Sequence, residues 1–461
     1  MSLLGAVIVP HPPVILPTVG RGREREIQST IDAYRAAARR VAQWAPDTLI
    51  VSSPHVVMYA DYFHISPGGR TVGDMASFGA PQTKLEVFYD IELRREIVEQ
   101  AEAAGIRAGT MGERDAKLDH GTFIPLHFLK EAGVNVPIVR IGLSGFSPLT
   151  HYRLGECIAR SVEKLNRRAV YVASGDLSHK LQSDGPYGYV PEGPVFDKEI
   201  VETMQSADFL RFLTLDPSLC ERAAECGLRS FQMMAGALDG LSVQAEFLNH
   251  EDKFGVGYGI ATFAVTGRDE SRRYAEQYES AERERLAKRK ASEDPWARLA
   301  RLSLETYVRT GKRLSSLPDG LPDALTNAQA GAFVSLHVRD SLRGCIGTTA
   351  PTTDSVGWEI VQNAVSAGTR DPRFAPVRVE ELDKLEYSVD VLGTPEPTTA
   401  AELDVKRYGV IVSCGARRGL LLPDLDGVDS VEQQIDIARQ KGGIGARERY
   451  ALERFEVVRH T

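Results

Sequence analysis

Short apolar runs alternate with amphipathic stretches from the N-terminus to about residue 266. Runs rich in Val, Ile, Leu and Ala at 3–9, 48–52, 136–141, 169–173, 243–248 and 259–265 predict strands. Helical periodicity fills the gaps at 25–43, 93–104, 149–166, 194–205 and 227–237. That alternation predicts an α/β domain with a mostly parallel sheet flanked by helices. From 268 to 293 the chain turns almost purely charged and polar, which predicts a solvated helix or linker without a core-facing stripe. Pro295 restarts the pattern, and a smaller α+β unit follows. The expected division is a first domain at 1–266, a charged helical linker at 267–294 and a second domain at 295–461.

A chain of 461 residues is too long for a single core, so two domains suit its length. With 43% apolar and 26% charged residues and a net charge of −8, the composition is that of a soluble globular protein. It argues against a general nucleic-acid binder. The five cysteines, at 157, 220, 226, 345 and 414, form no CxxC pair and read as reduced thiols of a cytoplasmic protein. The first apolar run is short and ends in prolines, so neither a signal peptide nor a membrane span is expected.

Candidate chemistry begins where two of those strands end. The run 3–9 gives way to Pro10-His11-Pro12-Pro13, and the run 48–52 to Ser53-Pro54-His55. Proline beside each histidine breaks the ladder and stiffens the loop that carries the imidazole. Ligands collect at that edge of α/β sheets, so His11 and His55 are candidate metal ligands. His120, in Leu118-Asp119-His120-Gly121, has the setting of a turn, with an aspartate available to orient the ring and a glycine permitting close approach. His179 follows the strand at 169–173 within Ser174-Gly175-Asp176-Leu177-Ser178-His179. His64, His127, His151 and His250 read as structural. A catalytic iron site with open positions calls for a carboxylate beside two imidazoles. Glu225 is the leading candidate, although a carboxylate at a helix start is also a good dipole partner. Its neighbour Cys226 is a rival that would suit a softer metal, and Glu246 a weaker one.

These segments together resemble the class III extradiol ring-cleavage dioxygenases, the LigB-like family, and more distantly the Memo proteins. The resemblance spans about residues 1–266 and rests on His11 after a strand, SSPH at 52–55, DHG at 119–121, SGDLSH at 174–179 and ECG at 225–227. It implies His11, His55 and Glu225 as iron(II) ligands, His179 as the acid/base beside a bound catechol, and His120 as a residue on the substrate side or supporting a ligand. Memo proteins match a cysteine near the third ligand, which keeps Cys226 open. The glycine-rich segment 66–82 is a candidate cover for the site.

In the second domain, Leu342-Arg343-Gly344-Cys345-Ile346-Gly347 follows a strand at 332–338 and reads as a tight turn with exposed backbone. Downstream lie Asp371-Pro372-Arg373-Phe374, a strand at 385–392 and Arg418-Gly419-Leu420-Leu421-Leu422-Pro423. Cys345 is either a thiolate nucleophile helped by Arg343 or a small structural residue, and no histidine nearby offers a base. Arg343, Arg370 and Arg373 form an anion- or protein-binding face, or pair with Asp340 and Asp371. LRGCIG with DPRF resembles the AMMECR-type domain over about 295–450, implying an α+β fold and no settled chemistry. The two domains in this order resemble the AmmeMemoRadiSam system proteins. Radical-SAM chemistry would need a CxxxCxxC run that this chain lacks, so it would reside in a partner protein.

Two functions are therefore expected to compete. One is a non-haem iron(II) extradiol-type dioxygenase opening a catechol-like or aminophenol-like aromatic with dioxygen. The other is a metal-binding partner or scaffold of a radical-SAM modification system. Neither calls for nucleic acid or membrane.

Overall fold

The computed structural model describes residues 2–113, 117–339, 341–425 and 427–461, which fall into two compact units, 1–281 and 282–461. In chain order the first unit contains β1 (Leu3–Val9), α1 (Gln28–Trp44), β2 (Thr48–Ser53), β3 (Arg70–Met75), β4 (Ala80–Phe88), α2 (Ile91–Ala103), α3 (His120–Glu131), β5 (Ile138–Gly142), α4 (Pro148–Lys164), β6 (Ala169–Ser174), α5 (Glu192–Ser206), α6 (Leu228–Ala237), β7 (Leu241–Glu251) and β8 (Tyr258–Arg268).

The main sheet runs β5-β2-β6-β1-β8-β7. Strands β5, β2, β6 and β1 are mutually parallel, and β8 and β7 are antiparallel additions on the β1 side. Both faces are buried, as the uninterrupted apolar runs of the central strands require. Along β1, Ala6 and Ile8 face one core, formed with α2, α4, α5 and α6, while Val7 and Val9 face another, formed with α1 and α3. Local chemistry starts the helices: Asp90 accepts Leu93 N–H, and Ser147 accepts Thr150 N–H ahead of Pro148.

Several segments differ from the sequence reading. The segment 66–82 is not an irregular cover. Most of it belongs to the β3–β4 hairpin, whose alternation of buried Thr71, Gly73 and Met75 with exposed neighbours is a two-residue period hidden by its glycines. His120 does not sit in a turn but is the first residue of α3, because Asp119 caps that helix and the apolar run behind it is buried.

The charged segment is also more than a solvated linker. It forms α7 (Tyr274–Ser292), whose first turn buries Tyr274, Ala275 and Tyr278 in the first unit's core.

The second unit contains α8 (Pro295–Thr310), β9 (Ala332–Val338), β10 (Ser341–Gly347), α9 (Val356–Thr369), β11 (Glu386–Leu392), β12 (Tyr408–Cys414), β13 (Arg417–Leu421), α10 (Val431–Lys441) and β14 (Ala451–His460). Its antiparallel sheet runs β10-β9-β11-β14-β12-β13, with α8 and α9 covering one core. The predicted glycine turn LRGCIG is strand β10. Its glycines serve close packing, since a Cβ at Gly344 would meet the Ala367 carbonyl of α9 and one at Gly347 would meet Phe333. Among the described residues, no helix is long and apolar enough to cross a membrane.

Candidate functional site

The sheet order decides which loops meet. Strands β1 and β2 lie on either side of β6, so the loops carrying His11, His55 and the Asp176–His179 segment leave the same carboxyl edge. Helix α3 delivers His120 to that edge. One ligating nitrogen from each of His11, His55 and His120 lies within 4.8 Å of the others. Ring centroids are 4.8 Å apart for His11 and His55, 5.4 Å for His11 and His120, and 3.9 Å for His55 and His120.

Hydrogen bonding sets the tautomer of His11. Ser174 Oγ donates to the Gly121 carbonyl at 2.6 Å, which leaves only its lone pairs for His11 Nδ1 at 2.9 Å. Nδ1 therefore carries the hydrogen, and Nε2 turns its lone pair toward His55 Nε2, 3.0 Å away. Two nitrogens bound at about 2.0–2.1 Å to adjacent positions of one ion would stand roughly 3 Å apart. The donor set thus fits a divalent ion. Burial, reinforced by His55, lowers the His11 pKa to about 3. Desolvation, with His55 and His11 beside it, lowers that of His120 to about 4. Desolvation within the cleft lowers that of His55 as well, so all three imidazoles are neutral and ready to ligate at physiological pH.

A cleft of about 830 Å³ opens above this cluster and is lined in part by Phe78, Asp176, His179, Tyr187 and Phe254. His179 Nδ1–H donates to the Ala224 carbonyl at 2.6 Å, which leaves Nε2 as the accepting nitrogen. Tyr187 meets the His179 ring edge-on at 5.3 Å, and Phe78 meets His120 at 5.3 Å. Phe78 lies between β3 and β4, so segment 66–82 does border the site, through one aromatic side chain.

Glu225 is not brought into the histidine cluster. Its Oε2 accepts Leu228 N–H at 2.7 Å in the first turn of α6, the dipole-partner arrangement, and burial raises its pKa to about 7. The neighbouring Cys226 Sγ lies 3.8 Å from His11 Nε2. Burial, with Asp176 and Glu225 adding to it, raises the Cys226 pKa well above that of an ordinary thiol. Gly175 and Gly227 allow this approach, since a Cβ on Gly175 would collide with the Gly227 backbone. Asp176 is the carboxylate beside His11: its Oδ1 accepts His11 N–H at 2.8 Å, and its Oδ2 lies 3.8 Å from Nε2. Among the SGDLSH residues the sequence singles out His179 and not Asp176, whose signal is its position just past β6, at the ligand-binding edge. Glu246 is an exposed partner of Arg40.

Asp119 does not orient the His120 ring. Its oxygens are taken by Ser53, Thr122 and Arg140. The remaining first-unit histidines are structural: His64 lies against Glu113, His127 pairs with Glu131, His151 Nδ1 donates to the Ser147 carbonyl, and His250 pairs with Asp197.

In the second unit, the arginines expected to form a binding face are mostly paired. Arg343 binds Glu381 through two nitrogens, and Arg373 binds Asp371, while Arg370 is exposed. Asp340 lies outside the described residues. Cys345 N–H donates to Asp371 Oδ2 at 2.9 Å, and its Sγ accepts from Ser335 Oγ at 3.2 Å. Burial, the largest influence, raises the thiol pKa, which disfavours a nucleophilic thiolate.

A family model described as the catalytic LigB subunit of aromatic ring-opening dioxygenase matches residues 5–261, and one described as AMMECR1 matches residues 297–460. The chain is 39% identical over 468 residues to Protein CA_C1420 of Clostridium acetobutylicum, covering 100% of this chain and 99% of that protein. It is 49% identical over 173 residues to a protein of Thermotoga maritima, covering 36% of this chain and 98% of that one. Among solved structures it is similar to uncharacterized protein PH0010 from Pyrococcus horikoshii, at 30% identity and a TM-score of 0.33, over 36% of this chain and 88% of the other.

Proposed function

The chain belongs to the family of the LigB catalytic subunit of aromatic ring-opening dioxygenases and carries an AMMECR1 domain behind it, and on that footing we propose that the cleft opens a catechol-like or aminophenol-like ring with dioxygen. The observation that carries this reading is the cluster of three imidazole nitrogens within 4.8 Å beneath an open cleft, with His179 on its wall.

His11, His55 and His120 would hold a divalent iron, with Asp176 rather than Glu225 as the carboxylate at hand. When bound, iron(II) supplies the redox chemistry with dioxygen, acidifies the ring hydroxyls and removes the cost of bringing the reactants together. His179 takes one hydroxyl proton at Nε2 and returns it as the ring opens, because its Nδ1–H is committed to Ala224. Phe78, Tyr187 and Phe254 offer apolar walls against which a ring can pack. The scattered free thiols support a cytoplasmic setting.

Anaerobic reconstitution with iron(II), followed by oxygen uptake on a panel of catechols and aminophenols, tests the proposal. The expected result is stoichiometric iron and uptake, with iron retained but turnover lost in His179→Ala. Stoichiometric iron with no uptake on any member of the panel overturns it.

Cys226, 3.8 Å from His11 Nε2, favours a second reading. A thiol among imidazoles suits zinc or copper, and with it a metal-binding partner of a radical-SAM system that cleaves no ring. Zinc or copper in the purified protein, lost in Cys226→Ser, would support that alternative.

A further inference from the structure

The three imidazoles come from distant parts of the chain, yet the short segment 119–121 carries one of them and is tied by hydrogen bonds to the other two, through Ser53 to the His55 backbone and through Ser174 to the His11 ring. Asp119 Oδ1 accepts Ser53 Oγ–H at 2.6 Å and Thr122 N–H at 2.9 Å. Ser53 Oγ in turn accepts His55 N–H at 3.2 Å, so the end of β2 is tied to the start of α3. Asp119 Oδ2 takes Thr122 Oγ1 at 2.7 Å and Arg140 at 3.1 Å. Two residues on, the Gly121 carbonyl receives the Ser174 hydroxyl that locks His11. Gly121 has no room for a side chain, since a Cβ would land on Ser53 Oγ and within 3.2 Å of the His55 ring.

Arg140 completes the arrangement from β5, the strand beside β2, where it lies opposite Val51. Its side chain is 3% exposed, and the guanidinium also reaches Glu113 Oε1 at 3.4 Å. A buried ion pair contributes little net stability compared with apolar residues of similar volume. What this pair does supply is fixed geometry.

We propose that Asp119 and Arg140 are the positioning residues of the histidine site, holding the Ser53–His55 segment and the first turn of α3 so that His11, His55 and His120 are assembled before an ion arrives. The inference rests on the reading of that cluster as a metal site. A site built in advance loses less free energy on binding than one ordered by its ligand. Partners that orient ligands from behind are typically worth about 10–100-fold in metal affinity.

Cobalt(II), bound to the full-length protein and followed by titration and by its visible ligand-field spectrum, tests the proposal. Asp119→Asn retains a helix-capping acceptor but loses the charge that Arg140 grips. It is expected to keep its circular dichroism, to bind cobalt about 10–100-fold more weakly and to show an altered spectrum. Arg140→Lys should recover part of the affinity that Arg140→Met loses. Ser53→Ala, a milder change, severs only the tether to His55 and should also weaken binding. Ser147→Ala removes a cap on α4 away from the site and should leave affinity and spectrum unchanged. If wild type takes up no cobalt, the metal reading fails and this inference fails with it. If wild type binds while Asp119→Asn and Ser53→Ala bind equally well with the same spectrum, the inference alone is overturned.

Discussion

Ser174 accepts the Nδ1–H of His11 at 2.9 Å, and it can do only that, because its own hydrogen is given to Gly121 at 2.6 Å. A hydroxyl on β6 thereby decides which nitrogen of a histidine in the loop after the adjacent strand faces the cleft. Ser174→Ala frees both ring orientation and tautomer. Metal affinity measured by competition with a chelator is expected to fall by about 10–100-fold. Unchanged affinity would mean that packing alone orients the ring.

Ligand and acid/base roles separate by metal content. His11→Ala is expected to lose bound metal, whereas His179→Ala should keep it and lose turnover. Atomic absorption on the two purified variants makes the comparison, and full metal in His11→Ala would remove that residue from the site.

Glu225 is expected to matter for stability and not for metal. Glu225→Ala removes the acceptor of Leu228 N–H and should cost about 1 kcal/mol in urea unfolding. Its metal stoichiometry should equal that of wild type. A metal-free Glu225→Ala protein would return the carboxylate to the ligand set.

The lowered pKa of His11 sets a direction for the metal-free protein. Folded His11 resists protonation down to about 3, while the unfolded chain takes the proton near the ordinary value of 6.5. Between those values the unfolded state binds more protons, so this contribution to stability is present above about pH 6.5 and is lost as pH falls. Glu225, raised to about 7, acts in the opposite sense, so wild type must be compared with His11→Gln, in which Glu225 is unchanged. The drop in urea midpoint from pH 7.5 to 4.5 is expected to be larger in wild type. Equal drops would show that His11 is not held neutral by burial.

In the second unit, Gly344→Val would drive a side chain into the Ala367 carbonyl. A loss of roughly 1–3 kcal/mol is expected by denaturant unfolding, the usual range for overpacking. Cys345→Ser should be much milder, because Cys345 sits half-buried in the strand, its bond to Asp371 is through the backbone, and a serine hydroxyl can accept from Ser335 in place of the sulfur.

The legible parts of the fold share a cause. Strands β1, β2 and β6 are buried on both faces, so their apolar runs are continuous and their ends are marked by Pro10, Pro54 and Gly175. The β3–β4 hairpin and β10 escape the local pattern because glycine serves packing there, at Gly73 against Leu118 and at Gly344 against α9, whereas the pattern by itself reads as a covering loop in the first case and a tight turn in the second. Helix α3 is hidden from the local pattern because Pro125 lies inside it and Gly121 in its first turn, two residues that argue against a helix when read alone.

At the site the division follows the same line. Sequence alone determined that rigid loops carrying His11 and His55 follow buried strands, and that Asp176 and His179 follow a third, because hydrophobic runs and prolines act locally. Only the tertiary structure decided that β6 lies between β1 and β2, that His120 joins the cluster from α3, and that Glu225 turns to its own helix while Asp176 and Cys226 flank His11. Those outcomes depend on strand order and on close backbone contacts such as Gly175 against Gly227. They are set by pairings between residues far apart in the chain, which no local pattern encodes.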